Sequence, residues 1–416
     1  MTNELDSKQH TDTLPVIYID RSRVECAESC MRKRFYQYEI NGVGIQKAGN
    51  WLDPLIGTAV HNGIEGLLTG KNIEQAVVIV KETILAAQRE GPIVVFRQGL
   101  DPAKDVEEGM LLAEALVRGW AAVRLQALLA TYDVVAIEKE CQKDYESGGR
   151  KIIQLSRPDI VLRRKDDKSL FIMNLKTTSR VDQKWREQWR YDMQTFSEAA
   201  AVEQLLGEPV AGTIICGLVK GSRKDYPMGS GDYHWDSILT QAWTKSGELG
   251  QQDEWFGRYE WSCMAAHKLG NGRACPGGKQ HRLSGVHKAQ ITERLGGVSG
   301  WISYLAVEDR ALLEDQFVEL TPILRSAYEI ERWKQQKLPM EIAIREHRDY
   351  LIDSTNVIQD DEDLLNAWFP MSTAKGNCLW PSQCTFFDVC HGVAGDDLAG
   401  AGFVERSPNH PSEGEE

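Results

Sequence analysis

The feature that most restricts the fold lies between residues 132 and 219. Residues 132–141, 151–164 and 169–178 are rich in β-branched and aromatic side chains, and turn formers (Gly148-Gly149 and the polar run 165–168) separate them. Such runs read as strands. A helical pattern opened by Asp101-Pro102 precedes them and runs towards Thr131; a second covers 185–206, and a further strand candidate covers 211–219. The order helix, three strands, helix, strand (αβββαβ) predicts an α/β fold. Hairpins start the sheet and a helical crossover completes it, giving a mixed central sheet flanked by helices.

The remaining chain frames this core, taken as residues 101–224. Residues 1–14 are polar and read as unstructured. Helices are expected over 22–39, with Ser22 as N-cap, around 57–68, and over 73–88. Residues 225–300 hold many Gly, Trp and polar residues and read as an insertion of loops and short elements. A helix over 308–337, bent near Pro322, is expected next, then a cysteine-rich part over 370–391. The tail over 392–416 is acidic and reads as disordered; the folded domain is therefore placed at 15–391. A formal net charge of −13 argues against a generic basic coat for nucleic acid, though local basic strips remain compatible with it. There is no apolar run long enough for a bilayer, no signal layout, and no dense cysteine framework, so a cytoplasmic, reducing setting without a membrane partner is expected. Gly66 to Lys71 lacks the glycine spacing and hydroxyl of a phosphate-binding loop, so any unwinding must come from a partner.

The chemistry concentrates in Arg157-Pro158-Asp159-Ile160-Val161 and Phe171-Ile172-Met173-Asn174-Leu175-Lys176-Thr177. Adjacent strands of a hairpin bring Asp159 beside Lys176. Alternation sends Asn174 and Lys176 to one face and Leu175 into the core. An aspartate, an amide and a lysine on one face suit a hard cation such as Mg²⁺ or Mn²⁺, with the lysine near an attacking water and the developing phosphorane charge.

Pro158-Asp159 followed by Asn174-Leu175-Lys176 resembles the signature of the PD-(D/E)XK nuclease superfamily. Gly57-Thr58-Ala59-Val60-His61 resembles the glycine-plus-histidine helix of its RecB-like and CRISPR-associated exonuclease branch, and Gln194 resembles that branch's active-site glutamine. Residues 22–36, with Cys30-Met31-Arg32-Lys33-Arg34-Phe35-Tyr36, resemble its N-terminal cysteine, basic and aromatic helix; Cys378, Cys384 and Cys390 resemble its cluster cysteines. The layout is most similar to bacteriophage or prophage members, and only 225–300 has no clear counterpart. The resemblance implies a restriction-endonuclease-like core and a metal-dependent DNA nuclease, acting on ends or single strands, with a helicase or recombination partner. It implies His61, Asp159 and position 174 around the metal, Lys176 and Asp159 in catalysis, and Gln194 orienting the site. It further implies a [4Fe-4S] cluster on Cys30, Cys378, Cys384 and Cys390.

One position departs from that pattern: Asn174 stands where the family has an acid. Three explanations stay open. The residue is an inactivating substitution; or the chain only binds DNA or assembles with partners; or another acid, Glu138 or Glu140, completes the site. For the thiols, Zn²⁺ or no ligand at all competes with iron–sulfur, and Cys26, one helical turn before Cys30, rivals it as fourth ligand. Cys263, His267, Cys275 and His281 form an irregular second group that reads as structural or accidental, with Zn²⁺ the lesser alternative. Arg32, Lys33 and Arg34 are either a solvated face or phosphate contacts, as are Lys220, Arg223 and Lys224. Trp185, Trp189 and Tyr191 divide between stacking on bases and core packing.

Overall fold

A computed structural model describes residues 16–94, 102–178, 181–219, 260–261, 281–282, 317–355, 362–372, 378–379, 383–392, 397–408 and 410. The expectations for residues 1–14, for Lys220, Arg223 and Lys224, and for Cys263, His267 and Cys275 lie outside them. Of the insertion, only a two-stranded pairing that includes His281 is described.

The chain begins β1 (Ile17–Asp20), α1 (Arg21–Ser29), α2 (Met31–Arg34), β2 (Ile45–Lys47) and β3 (Asn50–Trp51). There follow α3 (Leu52–Leu68), α4 (Ile73–Glu90), β4 (Ile93–Val94) and α5 (Pro102–Trp120), which continues through a π turn into α6 (Gln126–Thr131). The central stretch is β5 (Tyr132–Ile137), β6 (Cys141–Ser147), β7 (Arg150–Ser156), β8 (Ile160–Arg164), β9 (Leu170–Thr178), α7 (Gln183–Gln188), α8 (Gln194–Leu206) and β10 (Val210–Val219). After the short β11 (Glu260–Trp261) and β12 (His281–Arg282) come β13 (Phe317–Glu319), α9 (Ala327–Thr355), α10 (Glu362–Trp368), α11 (Phe387–Cys390) and β14 (Phe403–Glu405). None of the helices among the described residues is long and apolar enough to cross a membrane.

The fold is α/β. Its five-stranded mixed sheet has the order β13-β10-β9-β8-β5, with β9 and β10 parallel and the other pairs antiparallel. The β8–β9 hairpin is the one the sequence predicts, and α8 makes the crossover that brings β10 alongside β9 in parallel. Period-two alternation sorts the two faces. Phe171, Met173 and Leu175 join Ile160 and Leu162 against α3, α4 and α5; Leu170, Ile172 and Val161 meet Ala201 and Val202 of α8. Asn174 and Lys176 follow Ile172 on the α8 side.

Several boundaries differ from expectation. Residues 151–164 form two strands in two sheets, because Pro158 lacks an N–H and interrupts the ladder: β7 joins β1 and β6, and β8 joins the central sheet. Asp20, not Ser22, caps the first helix by accepting from the Arg23 N–H. That helix breaks at Cys30, whose backbone is extended (φ −166°, ψ 115°). The helix over 185–206 is interrupted between α7 and α8. Within 308–337, Phe317–Glu319 is an edge strand on β10, and helix starts only at Ala327, beyond Pro322. The tail over 392–416 is ordered in part: β14 pairs antiparallel with β2 and buries Phe403.

Candidate metal and catalytic site

Asp159 sits at the mouth of β8. Asp159 directly precedes the first β8–β9 pair, Ile160↔Met173, and so lies beside Asn174, the next residue of β9. The Asp159 carboxylate is nearly buried, and its Oδ2 accepts the Leu175 N–H at 2.6 Å. His61 comes from α3, its Nδ1 lying 3.8 Å from both Asp159 Oδ1 and Glu138 Oε1. Helix α3 reaches the sheet end because Gly57 is small: a Cβ there would stand 3.1 Å from Thr177 Oγ1. Ligand atoms of His61, Glu138 and Asp159 all lie within 4.8 Å of one another, the one such compact group among the described residues.

Glu138 follows the end of β5 with φ +46°, a left-handed backbone that costs a side-chain-bearing residue free energy. Its N–H donates to the Asp159 carbonyl at 3.0 Å, and its carboxylate meets Arg157 at 3.3 Å. Of the two acids sequence offered to complete the site, Glu138 is in it. Glu140 lies apart, with His410 Nδ1 3.1 Å from its Oε2.

Lys176 lies two residues beyond Asn174 on the same face, its Nζ 5.9 Å from the Trp189 ring centre. Gln194, at the start of α8, donates to Glu198 Oε1 at 2.6 Å and accepts from Arg21 at the same distance. Glu198 is the residue sequence reading missed. Burial pushes its carboxyl up to about 7, and the Asp159 charge adds to this; Lys176 and the donors Asn174 and Gln194 oppose it. A glutamate one turn after Gln194, on the same buried stripe, was the available signal.

The donor set fits a hard divalent cation: two carboxylates and an imidazole converge, and the buried Asn174 Oδ1 has no hydrogen-bond partner.

The basic and aromatic candidates separate. Arg32 and Arg34 are buried and structural. Arg32 donates to the Phe369 carbonyl at 2.8 Å, and Arg34 is 2.9 Å from both Glu39 and Glu341. Neither is available as a phosphate contact. Trp189 is buried and packs edge-on against Trp185, whereas Tyr191 is 82% exposed.

The predicted thiols gather where the N-terminal segment meets the C-terminal part. The Cys384 N–H donates to the Cys378 carbonyl at 2.8 Å, and the Ser372 N–H approaches Cys30 Sγ at 3.4 Å. Burial pushes Cys390 up to about 12, with Arg32 opposing and Cys384, Cys30 and Cys378 adding to it. The set is more widely spaced than the His61 group. Cys26 is buried, its Sγ 3.8 Å from Gln37 Oε1.

Comparison with protein-family models gives no match, and comparison with curated proteins gives none either.

Proposed function

We propose that the chain is a metal-dependent DNA nuclease with a restriction-endonuclease-like core, acting on ends or single strands. The observation that carries this is the convergence of His61, Glu138 and Asp159 at the end of the β8–β9 hairpin, with Lys176 on the face of β9 that Asn174 occupies. His61, Glu138 and Asp159, with the Asn174 oxygen, would hold Mg²⁺ or Mn²⁺. When bound, such an ion lowers the pKa of a water and offsets phosphate charge. Asp159 is held rigidly by the Leu175 N–H. Lys176 stabilises charge developing on the phosphoryl oxygens and orients the attacking water. Water adds to phosphorus, the bond to the leaving sugar oxygen breaks, and no covalent enzyme intermediate forms. The αβββαβ order supports the core assignment. The partner would be a helicase or recombination protein, since no phosphate-binding loop stands in the sequence.

The same reading gives Cys30, Cys378, Cys384 and Cys390 to a [4Fe-4S] cluster, with Zn²⁺ as the alternative. Ligation would take the thiol protons, and the bound group would join the N-terminal segment to the C-terminal part. Iron, sulfide and zinc analysis of anaerobically purified protein decides between them.

Labelled single- and double-stranded DNA with Mn²⁺ tests the nuclease proposal. Wild type is expected to cut, Asp159→Ala to abolish cutting, and Lys176→Ala to slow it about 10²–10³-fold. No cutting by wild type or Asn174→Asp, with binding to DNA that survives chelation, would instead support a DNA-binding or assembly module. Asn174 is the observation that favours that second reading.

A further inference from the structure

Asn174 is wholly buried, and its surroundings fix which way the amide faces. Its Nδ2 donates to Glu198 Oε2 at 2.7 Å, while the other carboxylate oxygen accepts from Gln194 at 2.6 Å. Gln194 in turn uses its oxygen to accept from Arg21 at 2.6 Å. Both Glu198 oxygens accept, one from Asn174 and one from Gln194, so Asn174 turns its nitrogen to Glu198 and its oxygen away. That oxygen, Oδ1, is buried without a hydrogen-bond partner, on the strand position next to Leu175, whose N–H donates to Asp159 Oδ2. Burying a good acceptor unpaired is costly unless a ligand completes it.

We propose that Arg21, Gln194 and Glu198 form an orienting relay that presents Asn174 Oδ1 to a divalent cation beside Asp159. Glu198 places on helix α8 the carboxyl group that an acid at position 174 would place on strand β9. This rests on the divalent-cation reading of the His61 group. Asn174 is then a working ligand, and Glu198 a positioning residue that acts through it. The pairing has a definite consequence. An aspartate at 174 with Glu198 unchanged would set two carboxylates at contact with no donor between them, which opposes itself. Exchanging both residues restores one amide and one carboxylate. The amide introduced at position 198 would donate to the carboxylate introduced at position 174 and still accept from Gln194.

The test is Mn²⁺ titrated into the full chain, with free Mn²⁺ read by electron paramagnetic resonance and folding read by thermal denaturation in chelator. The chains are wild type, Asn174→Asp, Glu198→Gln, the double Asn174→Asp/Glu198→Gln, Arg21→Ala and Asp159→Ala. Each single change at 174 or 198 is expected to weaken Mn²⁺ binding about 10–100-fold, as loss of an outer partner does. The double variant is expected to return to within about threefold of wild type, against the product of the two losses that independent sites would give. Arg21→Ala lies at the solvent side of the relay and carries little folding risk; it is expected to weaken binding without a change in thermal midpoint. Tighter Mn²⁺ binding by Asn174→Asp alone, additive losses in the double variant, or unchanged binding in Arg21→Ala each overturn the relay. If Asp159→Ala abolishes binding while those results hold, the relay alone falls. If wild type and Asp159→Ala are alike in taking up no Mn²⁺, the cation site falls with it.

Discussion

At the residue scale, Glu138 shows stability and site geometry in opposition. A left-handed backbone at a residue with a Cβ costs roughly 1–2 kcal/mol, and glycine avoids that cost. The conformation at φ +46° is kept where the Glu138 N–H reaches the Asp159 carbonyl and the carboxylate reaches His61. Glu138→Gly and Glu138→Gln both remove the charge and with it the Arg157 ion pair, so their difference reports mainly on the backbone. We expect the glycine variant to be more stable than the glutamine variant by about 1 kcal/mol in urea denaturation, with Mn²⁺ affinity reduced in both. Equal midpoints would show that the backbone there is unstrained. Asp159, Asn174 and Lys176 were legible because strand alternation is local: once two strands form a hairpin, spacing fixes which side chains share a face. His61 was legible through Gly57, whose small size lets α3 approach Thr177. Glu198 was not, because its significance arises from α8 crossing over β9, and no short-range pattern encodes that crossing. Arg32 and Arg34 misled for the related reason that a basic run is the same string whether it faces water or buried carboxylates.

At the element scale, the segment after Cys30 is fixed by charge buried against α9. Arg34 is shared by Glu39 and by Glu341, and all three are buried. Burial raises the Glu341 carboxyl above its ordinary value; Arg34 opposes this, and the neighbouring Glu39 adds to it. The folded chain therefore keeps the Glu341 proton over a pH range in which the unfolded chain has lost it. With fewer protons bound in the unfolded state, stability falls as pH rises from about 4.3, the ordinary glutamate value, towards the raised one, and is level above it. Glu341→Gln cannot titrate, so its stability relative to wild type should rise across that interval in urea midpoints taken at a pH series. A pH-independent difference would mean that Glu341 titrates in the folded chain as it does in the unfolded one. Removing Arg34 instead takes the ion-pair partner from buried Glu341, while Glu39 keeps Arg348 at 3.6 Å, and Arg34→Ala should cost about 3–5 kcal/mol. Elements with long periodic runs, α3, α4 and β10, were readable from sequence to within a few residues. The three-residue β13 was not: too short to show a period, it is strand only because β10 offers an edge.

At the scale of the whole molecule, the two ends of the chain close on each other. Phe403 of β14 stacks on Phe386 with ring centres 5.5 Å apart, and Phe386 stacks on Tyr36 at 5.8 Å. These rings share a core with Ile344, Leu365 and Phe369, against which Cys384 and Cys390 are partly buried. That core is separate from the one beneath the central sheet, which α3, α4 and α5 cover. The ends also meet beside the candidate site: Asp20, Arg21 and Ser22 from one side, and Pro408 and His410 from the other, line a polar cavity of about 460 Å³ with Gln194 and Glu198. Cores this separate should be lost separately. Phe403→Ala removes a buried ring from the second core alone and should cost about 3–5 kcal/mol there, whereas Val404→Ala, on the exposed side of the same strand, should change stability by no more than about 0.5 kcal/mol. Hydrogen exchange locates the loss. With Phe403→Ala, amides of α2, α10 and α11 should exchange faster while those of β8 and β9 keep wild-type protection. Equal loss of protection in β8 and β9 would show one cooperative unit. In that case the β14 strand would hold the β8–β9 hairpin itself, since damage at Phe403 could reach Asp159 only by unfolding the sheet that carries it.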